Sequence, residues 1–263
     1  MCSYCGGKQG IGKEIAQVIT EYVTNETEKK QMAYWEPFVG MCGVMKHVSS
    51  TIFQPRYGSD VHGELIQMWQ KLQLGWKPPK NITETIYKRI KENKQADPAL
   101  RAFVGHGYGF GGQYFGSFKP RFSDYDRERC GIRAYNGVMK TLPYIQSVQF
   151  HTCSYDESTL PYDYPDHSLL IYCDPPYQRT IRQAIGNTKV KFDNDAFWEW
   201  VRNVSKHQFV IVSENTAPND FISIWSKDRH LRFNNHRSNK SSIRADGTQV
   251  QKYISEQLFV YKQ

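Results

Sequence analysis

Apolar residues recur at helical spacing near the start of the chain. They predict an amphipathic helix entered from the loop Gly6-Gly7-Lys8, and they are Ile11, Ile15, Val18, Ile19, Tyr22 and Val23. The residues that follow predict a strand at Met32–Glu36, a glycine-containing turn at residues 40–43 and a helix around Val44 and Met45. The first part of the chain is therefore expected to alternate between helix and strand.

Unbroken apolar runs in the second half predict strands that are buried on both faces. The run Leu169–Cys173 is stopped by Asp174-Pro175-Pro176, and residues 209–212 form another such run. Between them we expect a helix capped by Asp193 or Asn194, with one apolar face formed by Phe197, Trp200, Val201 and Val204. Because strands and helices alternate, the pattern predicts a doubly wound α/β sheet.

The end of the chain predicts one more helix and a hairpin. Asn219 or Asp220 is placed to cap a helix that contains Phe221, Ile224 and Trp225. Residues 252–261 carry an apolar run and favour a closing hairpin.

Composition limits the class of protein. A chain of 263 residues with 39% hydrophobic residues can form one large domain, or one domain with a smaller insertion. No apolar run approaches the roughly 18 residues that span a bilayer. Six cysteines are too few for a disulfide scaffold. We therefore expect a soluble, intracellular protein with reduced thiols and no membrane partner.

Positive charge is concentrated in one quarter of the chain. The net charge is +8, and residues 77–140 hold thirteen Lys and Arg against six acids, which leaves +7 there. This region contains the stretch GHGYGFGGQYFGSF at residues 105–118, which shows no strong helix or strand period. The pattern predicts a mobile basic insert that binds a polyanion; a solvated surface lobe is the alternative.

Two groups of residues follow predicted strands and could carry chemistry. Gly40 lies in a turn after the first strand, and Asp60 stands twenty residues later. A glycine turn followed by an acid at this distance is typical of nucleoside sites, although such turns are often plain turns.

The second group is Asp174-Pro175-Pro176-Tyr177, directly after a buried strand. The prolines fix the backbone, so the Asp174 carboxylate and the Pro175 carbonyl form a pair of acceptors beside an aromatic ring. Such a pair can take both hydrogens of an exocyclic amino group while the Tyr177 ring stacks on the base that carries it. A strand-ending proline turn is the alternative interpretation.

These motifs, in this order, resemble the D12 class of site-specific DNA adenine-N6 methyltransferases, the Dam-like alpha group, over essentially the whole chain. The matching segments are Tyr4-Cys5-Gly6-Gly7-Lys8, Glu36-Pro37-Phe38-Val39-Gly40, Ser59-Asp60, Asp174-Pro175-Pro176-Tyr177 and VIVSENTAP at residues 210–218. One position departs from the family loop Phe-x-Gly-x-Gly, because Cys42 stands where the second glycine is usual and Gly43 follows it. A shifted backbone is therefore expected at Gly43.

The resemblance implies a Rossmann-like methyltransferase fold with S-adenosylmethionine as cofactor. Residues 1–74 and 144–263 would form the catalytic domain, and residues 75–143 an inserted, mainly helical target-recognition domain. The implied cofactor-binding residues are Tyr4, Lys8, Phe38, Gly40, Asp60, Tyr155 and Asp174.

The resemblance also implies the reaction. The target adenine of double-stranded DNA would be flipped out and stacked on Tyr177, while Asp174 and Pro175 orient N6 for direct in-line methyl transfer. The implied catalytic residues are Asp174, Pro175, Pro176 and Tyr177. Such an enzyme would act in the cytoplasm of a bacterial cell or of a virus-infected host, with no obligate protein partner evident.

Contacts to DNA are expected from the insert and from a second basic stretch. Glycines permit close approach and aromatic rings can act on base steps, so residues 105–118 are candidates for reading base edges. The predicted DNA-binding residues are Lys119, Arg121, Tyr108, Phe110, Tyr114, Arg237 and Lys240.

Other classes fit the sequence less well. A dinucleotide-dependent oxidoreductase needs Gly-x-Gly-x-x-Gly, which the sequence lacks, and a non-catalytic DNA-binding protein does not need the two motif loops. Cys2-x-x-Cys5 has no second Cys or His pair at metal spacing, so no metal site is expected.

Overall fold

The computed structural model describes residues 7–28, 31–119, 123–176, 192–230 and 253–262. These residues form a mixed α/β fold with helices on both faces of one sheet. The helices are α1 (Gly12–Glu26), α2 (Gly63–Gln73), α3 (Glu84–Glu92), α4 (Pro98–Gly107), α5 (Asp124–Ile145), α6 (Leu160–Asp163) and α7 (Asn194–Ser205). The strands are β1 (Met32–Glu36), β2 (Phe53–Asp60), β3 (Val148–Thr152), β4 (Leu169–Cys173), β5 (Phe209–Glu214), β6 (Phe221–His230) and β7 (Tyr253–Tyr261).

Strand order defines where a ligand site can lie. In the described residues the seven strands run in the order β3-β2-β1-β4-β5-β7-β6. Strands β1 to β5 pair in parallel, whereas β7 pairs antiparallel with both β5 and β6. The order reverses direction between β1 and β4, so the loops after these strands diverge and leave a crevice at their carboxyl ends. The fold is Rossmann-like, as expected from the sequence.

The sheet is buried on both faces because its strands alternate between two cores. Tyr34 packs with α1, α2 and the helices of the insert, whereas its neighbours Ala33 and Trp35 pack with α7 on the opposite face. Most predicted elements are confirmed: β1 and β4 have the expected bounds, and α1 and α7 cover the expected apolar stripes. Asp193 caps α7 by accepting hydrogen bonds from the backbone N–H groups of Asp195 and Ala196.

The predicted helix through Phe221, Ile224 and Trp225 is wrong, because these residues form strand β6. A register shift between Ser223 and Trp225 interrupts the alternation along the strand, so Ile224 and Trp225 pack against the same core. This irregularity imitates helical spacing in the sequence. Residues 253–261 likewise form one strand, β7, and the hairpin joins it to β6.

The region after β1 also differs from the expectation. The predicted helix around Val44 and Met45 is only a single 3₁₀ turn, Met45–His47. This turn packs against α1 and α5. It therefore forms part of the wall between the sheet and the insert.

The insert is helical, as expected, and contains α3, α4 and most of α5. Within the described residues its apolar side chains share one core with the sheet, since Tyr87, Phe103 and Val138 belong to the same cluster as Ile15 and Tyr34. Helix α5 continues to Ile145, past the predicted boundary at 143. The division into two domains stays a prediction.

Residues 105–118, in the interior of the insert that the sequence predicts to be mobile, are packed against the rest of the insert. Helix α4 includes residues 105–107, and most of the aromatic rings that follow turn inward, with Phe110 as the exception: Tyr108 is fully buried and stacks on Phe118. Glycine is required by close packing here, because a Cβ atom at Gly109 would lie 2.1 Å from the carbonyl oxygen of Gln113.

Gly12 is a second position where the fold requires glycine. A Cβ atom there would lie 2.0 Å from the carbonyl oxygen of Gly43, so α1 and the loop after β1 meet backbone to backbone. We predict that Gly12→Ala lowers the free energy of unfolding by about 1 to 3 kcal/mol, the usual cost of overpacking. Urea denaturation followed by circular dichroism measures this change.

Gly10→Ala is the matched control, since a Cβ atom at Gly10 meets nothing within 4 Å. We expect it to change stability by no more than about 0.5 kcal/mol. Equal stability of the two variants would contradict the close packing of α1 against Gly43.

Candidate active site

A buried ion pair joins the amino-terminal loop to the end of the central strand β4. Lys8, on the loop before α1, is only 3% exposed, and its Nζ donates to Oδ1 of Asp174 at 2.5 Å. Its Nζ also lies 3.5 Å from Oε1 of Glu256 on β7, and that oxygen accepts a hydrogen bond from Ser213. With Glu256, the pair thus connects three separate parts of the chain at the carboxyl end of β4.

The surroundings of Asp174 control its ionisation. Burial raises the pKa of this carboxyl, and the Lys8 ammonium opposes the rise. Repulsion from Glu256 and Glu214 raises the pKa further, and the resulting pKa is about 6. The side chain is 20% exposed, so a ligand in the crevice can reach it. At neutral pH Asp174 is therefore mainly an ionised, partly accessible hydrogen-bond acceptor.

Glu36 is a second buried acid beside the pair. It ends β1 and accepts a hydrogen bond of 2.7 Å from the Tyr34 hydroxyl. Burial raises its pKa to about 8; the Tyr34 hydrogen bond opposes this rise, and the Asp174 charge adds to it. Glu36 is thus mainly protonated at pH 7 and adds little negative charge beside Asp174.

Glu36 and Glu256 are not among the predicted site residues. For Glu36 a signal was available, because an acid at the end of an apolar strand, directly before a proline and a glycine turn, lies at the ligand edge of a parallel sheet. For Glu256 there was none, since its nearness to Lys8 depends on the antiparallel insertion of β7.

The loop after β1 is shaped by two left-handed residues. Gly40 has φ of 46° and Cys42 has φ of 52°. Cys42 therefore adopts the conformation for which glycine is usual at this position of the family loop, at a cost of roughly 1 to 2 kcal/mol. Gly43, where a shifted backbone was expected, packs against the backbone of Lys8. A Cβ atom at Gly43 would lie 3.2 Å from the backbone nitrogen of Lys8.

Asp60 fastens this loop to the end of β2. Its two carboxylate oxygens accept hydrogen bonds from the backbone N–H groups of Gly40 at 3.1 Å and His62 at 2.9 Å. Burial raises the pKa of Asp60, and the hydrogen bond from the His62 backbone opposes the rise. Each oxygen keeps a further lone pair, so the half-buried carboxylate can still accept hydrogen bonds from a ligand.

Phe38 and Tyr155 form an aromatic wall beyond the glycine turn. Their ring centroids lie 5.6 Å apart, and both rings pack on Phe197 of α7, at 5.8 and 5.4 Å. Phe38 is half-buried and Tyr155 is 8% exposed. The wall offers apolar surface for a flat ring.

The structure therefore brings most of the predicted cofactor residues to one edge of the sheet. Lys8, Gly40, Asp60 and Asp174 lie at the carboxyl ends of β1, β2 and β4, with the aromatic wall beside them. Pro175 is buried and Pro176 is half-buried directly after Asp174. The predicted site residues Tyr4, Tyr177, Arg121, Arg237 and Lys240 lie outside the described residues.

Two of the aromatic residues expected to contact DNA face inward. Tyr108 is fully buried and its hydroxyl donates to the Lys80 carbonyl, so a direct contact of its ring with a base edge does not fit this structure. The Tyr114 hydroxyl donates to Glu64, and its half-buried ring packs against His62 and His106. These contacts link the insert to the end of β2.

Two other predicted DNA contacts remain accessible. The Phe110 side chain is 51% exposed, and Lys119 is half-buried. Their contacts with DNA stay predictions.

Metal ligands and membrane spans are not evident in the part of the chain that is described. Its His, Cys, Asp and Glu side chains form no group of three or more that could hold a metal ion. None of its helices is both long and apolar enough to cross a membrane.

Similar solved structures are distant. A candidate methylase from Haemophilus influenzae is 9% identical with a TM-score of 0.34, and the match covers 96% of this chain and 99% of that one. The rRNA methyltransferase AviRa from Streptomyces viridochromogenes is 9% identical with a TM-score of 0.38, covering 94% and 84%. At these values the likeness carries no argument about activity.

Sequence comparisons give a more specific result. No curated protein matches the chain. Residues 4–104, which include Lys8, Glu36, Gly40 and Asp60, match the model of the D12 class N6 adenine-specific DNA methyltransferase family, and the resemblance indicated by the sequence motifs is confirmed over these residues.

Proposed function

We propose that this protein transfers a methyl group from S-adenosylmethionine to the N6 amino group of adenine in a short specific sequence of double-stranded DNA. The observation that carries the proposal is the ion pair of Lys8 and Asp174 at the switch point of the sheet, beside the Gly40 turn. The match to the family model supports methyl transfer. The finer assignments of cofactor, DNA and base flipping are part of the proposal.

The residues at the crevice fit S-adenosylmethionine. The cofactor carries a sulfonium and an ammonium group, and Asp174 stands near the acids Glu214 and Glu256, whose repulsion raises its pKa. A cation placed there relieves this repulsion. Asp60 offers acceptors for ribose hydroxyls, and the wall of Phe38 and Tyr155 offers a surface for the adenine ring.

The chain's own groups prepare the target amino group. When bound, S-adenosylmethionine would supply the methyl group and be released as a neutral thioether without help from a metal, and the proton that N6 loses would pass to the Asp174 carboxylate or to water. The Asp174 carboxylate and the Pro175 carbonyl accept the two N6 hydrogens, which draws the nitrogen lone pair out of conjugation with the ring. Lys8 holds the carboxylate in place, so correct positioning supplies much of the rate.

A target adenine must leave the helix to reach Asp174, because this carboxylate lies inside a crevice of the protein. Flipping costs a few kcal/mol, which stacking on Tyr177 and contacts to phosphates would offset. The excess of positive charge in residues 77–140 favours a polyanionic partner. A DNA substrate also implies an intracellular site of action.

Identification of the modified base tests the proposal. DNA from cells that express the wild-type protein or Asp174→Ala is digested to nucleosides and analysed by mass spectrometry. We expect N6-methyladenine with the wild type and only background with the variant. N4-methylcytosine as the product, or no modified base with a folded wild-type protein, would contradict the proposal.

A binding screen separates the rival classes. S-adenosylmethionine should raise the thermal stability of the purified protein, and NAD should not. Stabilisation by NAD alone would favour an oxidoreductase. The absence of a shift with either compound would favour a non-catalytic DNA-binding protein.

Substitutions of Asp174 distinguish its charge from its ability to accept hydrogen bonds. We predict that Asp174→Ala lowers the single-turnover rate by about a hundredfold or more, the scale for removing one hydrogen-bonding group from a reacting centre. Asp174→Asn keeps an acceptor oxygen and should lose less. The exposed acid Glu92 provides the matched control Glu92→Ala, and a folded Asp174→Ala protein with the wild-type rate would overturn the role of this residue.

Asp60 is expected to contribute to methyl transfer by binding the cofactor. We predict that Asp60→Asn weakens the binding of S-adenosylmethionine by about 1 to 3 kcal/mol in calorimetric titrations without DNA. Its thermal unfolding is measured in parallel, because the side chain also fastens the Gly40 loop. Glu92→Gln serves as control, and wild-type affinity in a folded Asp60→Asn protein would place the cofactor elsewhere.

A further inference from the structure

A basic cleft lies beside the candidate active site, between α5 and the 3₁₀ turn Met45–His47. Its volume is about 610 Å³. Its lining comes from the amino-terminal loop at Gln9, the loop after β1 at Met41, the 3₁₀ turn and one side of α5. The cleft therefore lies where the catalytic part of the chain meets the insert.

The floor of the cleft is formed by the two loops that also carry Lys8 and Gly40. Gln9 directly follows Lys8, and its side-chain amide donates to the Met41 carbonyl at 3.0 Å. The Lys46 Nζ donates to the Gln9 side-chain oxygen at 2.5 Å. Met41 directly follows Gly40, so the same two loops form the crevice and the floor of the cleft.

The opposite wall is one face of α5. Arg133, Gly137, Lys140 and Tyr144 are spaced by three or four residues and share this face. The rise of 1.5 Å per residue places Arg133 and Lys140 about 10 Å apart along the helix axis. Gly137 lies between them and has no side chain to fill the space.

The charge of the cleft is of one sign. Its lining includes Lys46, His47, Arg133 and Lys140 and no acidic residue. Within the described part of the chain, no carboxylate lies within 4 Å of the side-chain nitrogens of the cations Lys46, Arg133 and Lys140 or of the His47 ring. Burial lowers the pKa of His47, and the nearby cations Lys46 and Lys13 lower it further. Cations gathered in a concave surface attract an anion.

We propose that this cleft binds the phosphodiester backbone of the DNA strand that carries the target base. Two cations about 10 Å apart can meet two phosphates of one strand, whose axial rise is about 3.4 Å per nucleotide. The polar side chains of Asn136 and Tyr144 can donate hydrogen bonds to phosphate oxygens. Gln9 in the floor of the cleft directly follows Lys8 in the chain, so a strand held here would contact the loop that also carries the partner of Asp174.

This inference rests on the proposed function and adds a defined phosphate site to it. Phosphate contacts fix position and carry no sequence information. The cleft should therefore control affinity and the position of the strand, whereas base specificity comes from other residues.

The test compares the double variant Arg133→Gln/Lys140→Gln with wild type. Both side chains are exposed, so the variant should fold. Affinity for a duplex is measured against salt concentration, and we expect the slope of log K against log salt to fall by about 1.8, which is about 0.9 for each phosphate that the variant no longer neutralises. Sequence preference and calorimetric affinity for S-adenosylmethionine should equal those of wild type.

Lys91→Gln/Lys94→Gln is the matched control, because it removes two charges from exposed lysines of the insert that do not line the cleft. An equal reduction of slope in this control would mean that net charge alone is measured, and would overturn the assignment. An unchanged slope in Arg133→Gln/Lys140→Gln would also overturn it, while leaving methylation by the wild type as support for the proposed function. A wild type without affinity for duplex DNA would overturn the cleft and the DNA substrate together.

A final arm separates a nucleic-acid backbone from a small anion. Thermal stability is measured with inorganic phosphate against chloride at equal ionic strength. We expect no difference between wild type and Arg133→Gln/Lys140→Gln. Protection of wild type alone by inorganic phosphate, as strong as that by a duplex of equal phosphate concentration, would favour a small-anion site and overturn the proposal.

Discussion

The buried ion pair of Lys8 and Asp174 is the interaction on which the candidate site depends. Removing two charges from water is costly, and a buried pair often contributes little net stability, so stability alone does not account for its position. Lys8 comes from the loop before α1, Asp174 from the end of β4, and the neighbouring Glu256 from β7. The pair fixes these segments around the crevice and holds a carboxylate that a ligand can still reach.

Close packing between the backbones of α1 and the loop after β1 supports this arrangement. Gly12 and Gly43 meet without side chains between them, and Gly43 also contacts Lys8. Because the loop after β1 contacts both the Lys8 loop and Asp60, one compact unit of backbone defines the floor of the crevice and the floor of the basic cleft. In the proposed function this unit joins the cofactor, the target base and the strand that carries it.

Local sequence patterns predicted most helices and strands correctly, but they did not predict what surrounds individual side chains. The unbroken apolar run Leu169–Cys173 predicted a strand, because a strand buried on both faces is apolar throughout. The apolar stripe of α7 predicted a helix, because a helix buried on one face repeats its apolar residues every three or four positions. The bulge in β6 imitated helical spacing, and only its pairing with β7 reveals a strand. The motif residues predicted which groups meet at the switch point. Glu256 and the inward-facing Tyr108 could not be predicted, because their surroundings depend on strand order and on packing between distant segments.

The pH dependence of adenine methylation tests the central role of Asp174 most directly. A protonated Asp174 keeps one acceptor oxygen, but only the ionised carboxylate can accept with both oxygens, from Lys8 with one and from N6 with the other. The pKa of Asp174 in the unliganded protein is about 6. The pH dependence of kcat/KM reports the ionisation of the free enzyme. We predict that kcat/KM for N6-methyladenine formation rises about tenfold per pH unit below pH 6 and reaches a plateau above it. A flat profile between pH 5 and pH 7.5, with the protein folded throughout, would contradict the account.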